Sequence, residues 1–283
     1  MTTAFVVLHY KTKDITIDCL DHLLKIAPDS PIVVVDNGSA DGSGEELRAR
    51  YGAAGNVVVI INNENLGFAR GNNTGYKYVK DHFDADCVVV MNNDVIITQE
   101  DFGERIAAFM KDNSIDVCGP DVITPEGRHQ NPLMRQNFST FRIVKLLAIE
   151  AMRLLMLKLH IMQKRILDVY AASSNSYQLK EVELDGVTDC VLHGSCVAYS
   201  CNYLSNEENA FVPVTFLYAE EMILYDYCKR HNYRTGICPG AQVTHLGGKT
   251  VMKGALPVDK QIFKTTQLVK SFYQVVKQRL VGC

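Results

Sequence analysis

Four short aliphatic, mostly β-branched runs constrain this chain more than any other feature. They are Phe5-Val6-Val7-Leu8, Ile32-Val33-Val34-Val35, Val57-Val58-Val59-Ile60-Ile61 and Cys87-Val88-Val89-Val90-Met91. Each is apolar at consecutive rather than alternate positions, the pattern of a strand buried on both faces, as in a parallel sheet covered by helices. Helical periodicity fills the gaps, over 14–27, 43–51, 69–82 and 100–112. Strands alternating with helices predict an open, doubly wound α/β sheet. Ligands in such sheets bind beyond the carboxyl ends of the strands. Every run here ends in a polar cluster: His9-Tyr10, Asp36-Asn37-Gly38-Ser39, Asn62-Asn63-Glu64-Asn65 and Asn92-Asn93-Asp94. Four such clusters at four strand ends mark one site.

The second half reads differently. Residues 141–167 form an amphipathic helix pattern, with Arg142, Lys145, Glu150, Arg153, His160 and Lys164 on one stripe and Leu, Ile and Met elsewhere. A second such pattern covers 258–281, with Val258, Ile262, Val269, Phe272, Tyr273, Val276 and Leu280 opposite several lysines and glutamines. Strand-like pieces lie near 187–199 and 235–245, and a polar helix start near Tyr218-Ala219-Glu220-Glu221. With no repeat or low-complexity linker, one domain over 1–250, containing a helical insertion at about 138–170, followed by an amphipathic helix in 251–283, is the economical division.

Charge divides along the chain as well. Residues 1–130 carry a net −9 and the remainder +6, within a total of −3. The total gives no reason to expect nucleic acid, whereas the basic half suits anionic lipid, an anionic substrate, or simply a solvated surface. The two amphipathic helices fit either core and dimer-interface packing or a membrane surface. Nine cysteines without CxxC or zinc spacing suggest reduced thiols in a cytoplasmic protein, and Val6-Val7-Leu8 begins the fold too early for a signal peptide. No stretch of 18 apolar residues is free of charge.

Motif by motif, local readings compete. No G-x-G-x-x-G follows a strand, and His245-Leu246-Gly247-Gly248-Lys249-Thr250 has Val243 where a P-loop needs its first glycine. Asp36-Asn37-Gly38-Ser39 suits a capped turn, or a carboxylate that bonds a base or ribose. Asn65–Gly75, with glycines and asparagines leading into a helix, suits close backbone approach to a ligand, and Arg70 within it suits a phosphate or plain solvent. Asp94 between amides and a strand end offers hard oxygen for Mg²⁺ or Mn²⁺, or a polar turn. Glu220-Glu221 suits a general base, or acidic residues stabilising a helix N-terminus.

Taken in order, "VVLHY", "VVVDNGSADGS", "NENLGFARGNNTG", "MNNDV", "DGVTDCVLHGSCVAYS", "FLYAEEMIL" and "THLGG" resemble the family 2 inverting glycosyltransferases, over about residues 4–250. The resemblance implies a GT-A fold, with a Rossmann-like, mostly parallel central sheet flanked by helices and a helical C-terminal extension. It implies transfer of a sugar from a UDP- or dTDP-sugar to a hydroxyl of a glycan acceptor, lipid-linked at the inner face of a bacterial membrane, in surface polysaccharide synthesis. Tyr10, Asp36, Asn65, Arg70, Asn92 and Asn93 would bind the donor nucleotide. Asp94, at the end of the family's D-x-D position, would hold Mn²⁺ or Mg²⁺ with His245. His193, Gly194 and Ser195 would meet sugar and acceptor, and Glu221, with Glu220 beside it, would act as base. Two departures stand out: Asn92 replaces the first D-x-D carboxylate, and Glu221 replaces an aspartate. The competing readings are a non-catalytic nucleotide-sugar-binding assembly subunit and a sugar nucleotidyltransferase, whose glycine- and lysine-rich phosphate loop is not matched by "LHYKTKDIT". Peripheral contact with an anionic membrane and a homodimer are compatible with all of this.

Overall fold

A computed structural model describes residues 1–173, 183–247 and 256–281. Gly248, Lys249 and Thr250, the start of the 251–283 segment, and its last two residues lie outside the described residues.

The four aliphatic runs are β1 (Thr3–His9), β2 (Ile32–Asp36), β3 (Val57–Ile61) and β4 (Cys87–Asn92). They are joined by α1 (Lys13–Ile26), α2 (Ser43–Tyr51) and α3 (Phe68–His82). After β4 come β5 (Val95–Ile96), α4 (Phe102–Asn113) and β6 (Val117–Ile123). Then follow α5 (Thr140–Lys158), α6 (Gln163–Ser173), β7 (Cys196–Ser200), α7 (Cys201–Asn206), α8 (Glu220–Arg230), β8 (Thr235–His245) and α9 (Pro257–Val281).

One sheet runs in the order β3-β2-β1-β4-β7-β6-β8-β5. Strands β1 to β4 pair in parallel, and β7 then joins β4 antiparallel, with Met91 opposite Cys196. The sheet buries both faces, as consecutive apolar residues require. One core holds Phe5, Val34, Val89, Leu20 and Ile106, and the other holds Val6, Val33, Val88, Tyr76 and Tyr199. Helix α3 approaches closely enough that a Cβ on Gly75 would lie 2.4 Å from Val6 Cγ1.

The long excursion between β6 and β7 is closed on itself near its ends, and Thr188 also bridges Gly236 of β8. Met134 and Val191 form an antiparallel bridge, Val191 N–H donating to Met134 O at 2.9 Å and Met134 N–H to Val191 O at 3.3 Å.

The structure corrects several sequence expectations. The single helix expected over 141–167 is two, broken at 159–162, where His160 and Met162 adopt positive φ. The expected strand over 187–199 is confined to β7, preceded by isolated bridges. The amphipathic face of α5 is also turned from what its pattern suggests. Helix α5 buries Ile143, Glu150 and Leu157, so the stripe expected to be polar and outward contains a buried carboxylate. Glu150 accepts from Arg153 Nη1 at 2.7 Å and from the Tyr170 hydroxyl, which satisfies its buried charge. Helix α9 packs on α5 and α8; its fully buried residues are Gln261, Thr265, Gln267, Ser271 and Val275, and Phe272 and Val276 pack partly buried against the Ile143–Met222 cluster.

Candidate active site

The carboxyl ends of β1, β2 and β4 are tied together by buried polar side chains. His9 Nε2 lies 2.8 Å from Ser43 Oγ, which donates to Asp41 Oδ1 at 2.5 Å. Because the Ser43 proton is committed to Asp41, His9 Nε2 is the donor and Nδ1 the acceptor, facing Thr16 Oγ1 at 2.7 Å. Burial pushes the His9 pKa down, favouring the neutral imidazole, opposed by Asp36 and Asp41. Asn93 completes the chain by donating from Nδ2 to both Thr12 and Thr16 hydroxyls at 2.7 Å. Asp36 is sealed in the same layer, its Oδ1 accepting from Ser39 N–H at 3.0 Å and Ser39 Oγ at 2.5 Å. Asp36 and Asn93 thus shape the loops around them.

Asn37 was not among the expected site residues, yet it organises the neighbouring loop. Its Nδ2 donates to Asn65 Oδ1 at 3.1 Å and Gly67 O at 3.0 Å, while its Oδ1 accepts from Leu66 N–H at 3.1 Å and Asn62 Nδ2 at 3.2 Å. Asn65 is therefore part of a saturated amide cluster that sets the entry to α3. Tyr10 is half-buried, with the Lys11 ammonium 5.2 Å from its ring centre. Arg70 projects into an open groove of about 560 Å³ between α3 and α9, lined also by Phe216, Lys270 and Thr215, with its Nε donating to Pro213 O at 3.3 Å.

A second cluster forms where the turn after β4 meets the turn before β7 and the end of β8. Asn92 N–H donates to Ser195 O at 2.8 Å, which joins the end of β4 to the turn before β7. Asp94 is buried; its Oδ1 has no hydrogen-bond partner and its Oδ2 lies 3.4 Å from His245 Nε2. His245 Nδ1 lies 2.8 Å from Gln130 Oε1, to which it donates, and this orients the ring so that Nε2 faces the Asp94 carboxylate. A buried carboxylate with one unpartnered oxygen, beside an imidazole nitrogen that can serve as a ligand, suits a cation. Among the described residues no group of three or more His, Cys, Asp or Glu side chains encloses a cation. Asp94 and His245 would therefore supply only part of a shell, as is usual where diphosphate oxygens and water supply the rest.

The His193 and His245 rings stand 5.3 Å apart. His193 Nδ1 accepts from Ser195 N–H at 3.3 Å, with Ser195 Oγ at 2.8 Å, so the ring proton sits on Nε2. Burial, reinforced by His245 and opposed by Asp94, pushes the His193 pKa down to about 3. His193 is a neutral hydrogen-bond donor. Asn131 fixes it in place, accepting the His193 N–H at 2.7 Å while donating to Pro120 O at 2.7 Å. Gln130 and Asn131, adjacent in the chain, thereby hold His245 and His193. Neither carries a sequence signal of its own, because their partners lie 62 to 115 residues away.

Glu220 and Glu221 open α8 after Tyr218 and Ala219, both in left-handed backbone (φ 74° and 65°). Such a conformation is costly for a bulky residue and persists where its surroundings enforce it. It turns the carboxylates inward. Glu220 accepts from Thr215 Oγ1 at 3.0 Å, and burial together with the neighbouring Glu221 raises its pKa to about 8. Burial raises the Glu221 pKa as well, opposed by its own amide and that of Gly194. Glu221 rests directly on Gly194, where an added Cβ would stand 2.8 Å from Oε1. Contacts therefore run unbroken from Asp94 through His245 and His193 to Gly194 and Glu221.

Residues 4–169 match the family described as Glycosyl transferase family 2. The hexosyltransferase Agl10 of low-salt glycan biosynthesis, from Haloferax volcanii, is 24% identical over 243 residues, 86% of this chain. This chain spans 66% of that relative's length. Among solved structures, residues 1–349 of TarS from S. aureus in complex with UDP align with a TM-score of 0.53 at 15% identity, over 95% of this chain and 64% of that one. The mannosyltransferase PcManGT from Pyrobaculum calidifontis, in complex with GDP-Man and Mn²⁺, aligns with a TM-score of 0.53 at 13% identity, over 99% of this chain and 75% of that one. These likenesses establish the GT-A fold. The family match ends at residue 169, so the turn at 193–195, the Glu220–Glu221 pair and His245 are placed beside the matched region by the fold.

Proposed function

This chain belongs to glycosyl transferase family 2, and from that premise we propose that it transfers a sugar, with inversion, from a nucleotide-diphosphosugar to a glycan hydroxyl. The observation that carries the reading is the contact chain joining Asp94 to Glu221, which sets a leaving-group side and a base side within one seam. On the base side, burial raises the pKa of both members of the Glu220–Glu221 pair, Glu220 to about 8, while the Gly194 amide favours the ionised form of Glu221, the form a base requires. Glu221 takes the acceptor hydroxyl proton as that oxygen bonds the anomeric carbon. The bond from the anomeric carbon to the diphosphate breaks, and the nucleoside diphosphate leaves with the electron pair. Base assistance of this kind contributes roughly 10²–10⁴-fold.

On the opposite side, Asp94 and His245 would hold Mn²⁺ or Mg²⁺, which when bound neutralises charge on the departing diphosphate. His193 offers its Nε2 proton to sugar or phosphate oxygen. Tyr10 and Arg70 would meet the nucleotide, while Asp36, Asn65 and Asn93 shape the loops that receive it. A UDP-sugar is the first donor to test, followed by dTDP- and GDP-sugars; UDP and GDP-Man occur in the two structural neighbours. A lipid-linked glycan acceptor, cytoplasmic action at the inner membrane face, and a place in bacterial surface polysaccharide assembly complete the reading. Residues 1–250 constitute the catalytic domain and 251–283 its extension.

The deciding experiment screens nucleotide sugars with Mn²⁺ by thermal shift, then measures nucleoside diphosphate release with glycan acceptors. Stabilisation by one donor and release abolished in Glu221→Gln support the proposal. Release unchanged in that variant rejects Glu221 as base, and no response to any nucleotide sugar rejects the donor reading.

A further inference from the structure

Helix α5 faces the solvent with its apolar side. Phe141, Val144, Ala148, Met152, Leu155 and Leu159 recur at spacings of three or four, which places them on one stripe. Phe141 is 82% exposed, Met152 54%, Leu155 52% and Leu159 57%. The stripe is about 27 Å long at 1.5 Å per residue. It continues into the corner before α6, where Ile161 and Met162 are also exposed. The opposite face of α5, with Ile143, Glu150 and Leu157, is the one packed into the protein. No described residue covers the stripe.

Its charged border is one-signed. Arg142, Lys145, Lys158, Lys164 and Arg165 are exposed along α5 and α6, and none forms an ion pair among the described residues. Glu150 is buried against Arg153, which leaves Asp168 as the exposed acid of these two helices. We propose that this face docks on the surface of an anionic phospholipid bilayer, with Phe141, Met152, Leu155 and the Leu159–Met162 corner entering the headgroup boundary. This deepens the placement at the inner membrane face proposed above, and rests on it.

Charge decides between a bilayer and a second copy of the chain. Lys145 lies within the stripe and Lys158 at its margin. A two-fold dimer through this face would set the cationic border against itself and bury those lysines without acidic partners. At a bilayer the same lysines reach up to phosphate while their stems lie along lipid. The apolar stripe supplies insertion and the cations supply selectivity for anionic headgroups.

The test is flotation of the full-length chain with vesicles of pure phosphatidylcholine and with vesicles containing about one-third phosphatidylglycerol, each cation contributing roughly fivefold in affinity. Wild type should float with the anionic vesicles only, and less so at high salt. Met152→Glu/Leu155→Glu, both exposed changes, should abolish flotation while its melting temperature and nucleotide response stay as in wild type. Lys158→Gln/Lys164→Gln/Arg165→Gln should weaken binding by about two orders of magnitude. Absence of wild-type flotation, or equal flotation of the Met152→Glu/Leu155→Glu variant, overturns the proposal. A wild-type dimer that this double variant dissociates, without vesicle binding, assigns the face to a second copy instead. The nucleotide response is read in the same preparations, so failure of membrane docking and failure of the transferase reading remain separate results.

Discussion

The Glu221 carboxylate lies against the Cα of Gly194, and no side chain larger than hydrogen fits between them: a Cβ at 194 would approach Oε1 to 2.8 Å and Cγ to 3.2 Å. Gly194→Ala should therefore move Glu221 while leaving the sheet intact. Misplacing a reacting group by about 1 Å can cost on the order of 10²-fold. The expected outcome is a fall in turnover of about that size with unchanged nucleotide affinity, read by steady-state kinetics beside calorimetric titration. A proportional loss of nucleotide affinity would instead mean that the turn supports the donor site.

Glu220 and Glu221 give the protein a pH signature. Their folded pKa values lie above the ordinary carboxylate range, Glu220 at about 8. Between the unfolded value near 4.5 and about 8, the folded state holds more protons than the unfolded state, so this pair lowers stability as pH rises through that window. His9 and His193, both pushed down, act in the opposite direction below about 6.5. The isolating measurement is the difference in melting temperature between Glu220→Gln and wild type. That difference should grow in favour of the variant from pH 5 to pH 8. A difference that is flat across this range would show that Glu220 ionises as readily in the folded protein as in the unfolded chain.

Asp94 is buried with one oxygen unpartnered, a cost to the metal-free protein. Asp94→Asn removes the charge and keeps the shape. The metal-free variant should melt a few degrees above wild type, in line with the usual gain of about 0.5–2 kcal/mol when a functional residue is relieved of an unfavourable setting. Added Mn²⁺ should strengthen nucleotide binding by wild type and have no effect on the variant's. Equal Mn²⁺ responses would remove Asp94 from the cation site.

Gly75→Ala sets two effects against each other. Alanine gains about 1 kcal/mol of helix propensity over glycine. Its Cβ, however, would meet Val6 Cγ1 at 2.4 Å and Val35 Cγ2 at 2.9 Å in a closed core, and overpacking of this kind costs typically 1–3 kcal/mol. Packing wins, and urea denaturation should show a net loss of about 1 kcal/mol. A stabilised variant would mean that α3 can slide away from the sheet.

The parts of the fold legible in the sequence are those whose signals are local. Ile32–Asp36 is aliphatic throughout because both its faces are buried, and it could be read nowhere but in a covered parallel sheet. β6 escaped notice because Gly119 and Pro120 interrupt it, and the register shift at Pro120/Asp121 is what lets a sheet strand accept the proline. For α5 the apolar pattern identified the helix but misassigned its face, since Glu150 is neutralised by partners on the helix itself and on α6, whereas α9 does turn Phe272 and Val276 toward the core. In the site, Asp94, His245, His193 and Glu221 could each be named from a motif. Their meeting depends on the antiparallel entry of β7 and on Gln130 and Asn131, long-range facts that no local pattern carries.

The bridge between Met134 and Val191 makes the excursion between them a cassette. Its two ends are clasped to each other, and His193 follows only two residues beyond the clasp. Lengthening a closed loop costs little, about 0.6 kcal/mol per doubling. The exposed face of α5 can thus be re-surfaced without touching the clasp, whereas its buried face, where Ile143 packs with Met222 and Ile223 of α8, is tied to the seam. A chain built this way can change the face it turns outward without rebuilding the seam behind the clasp.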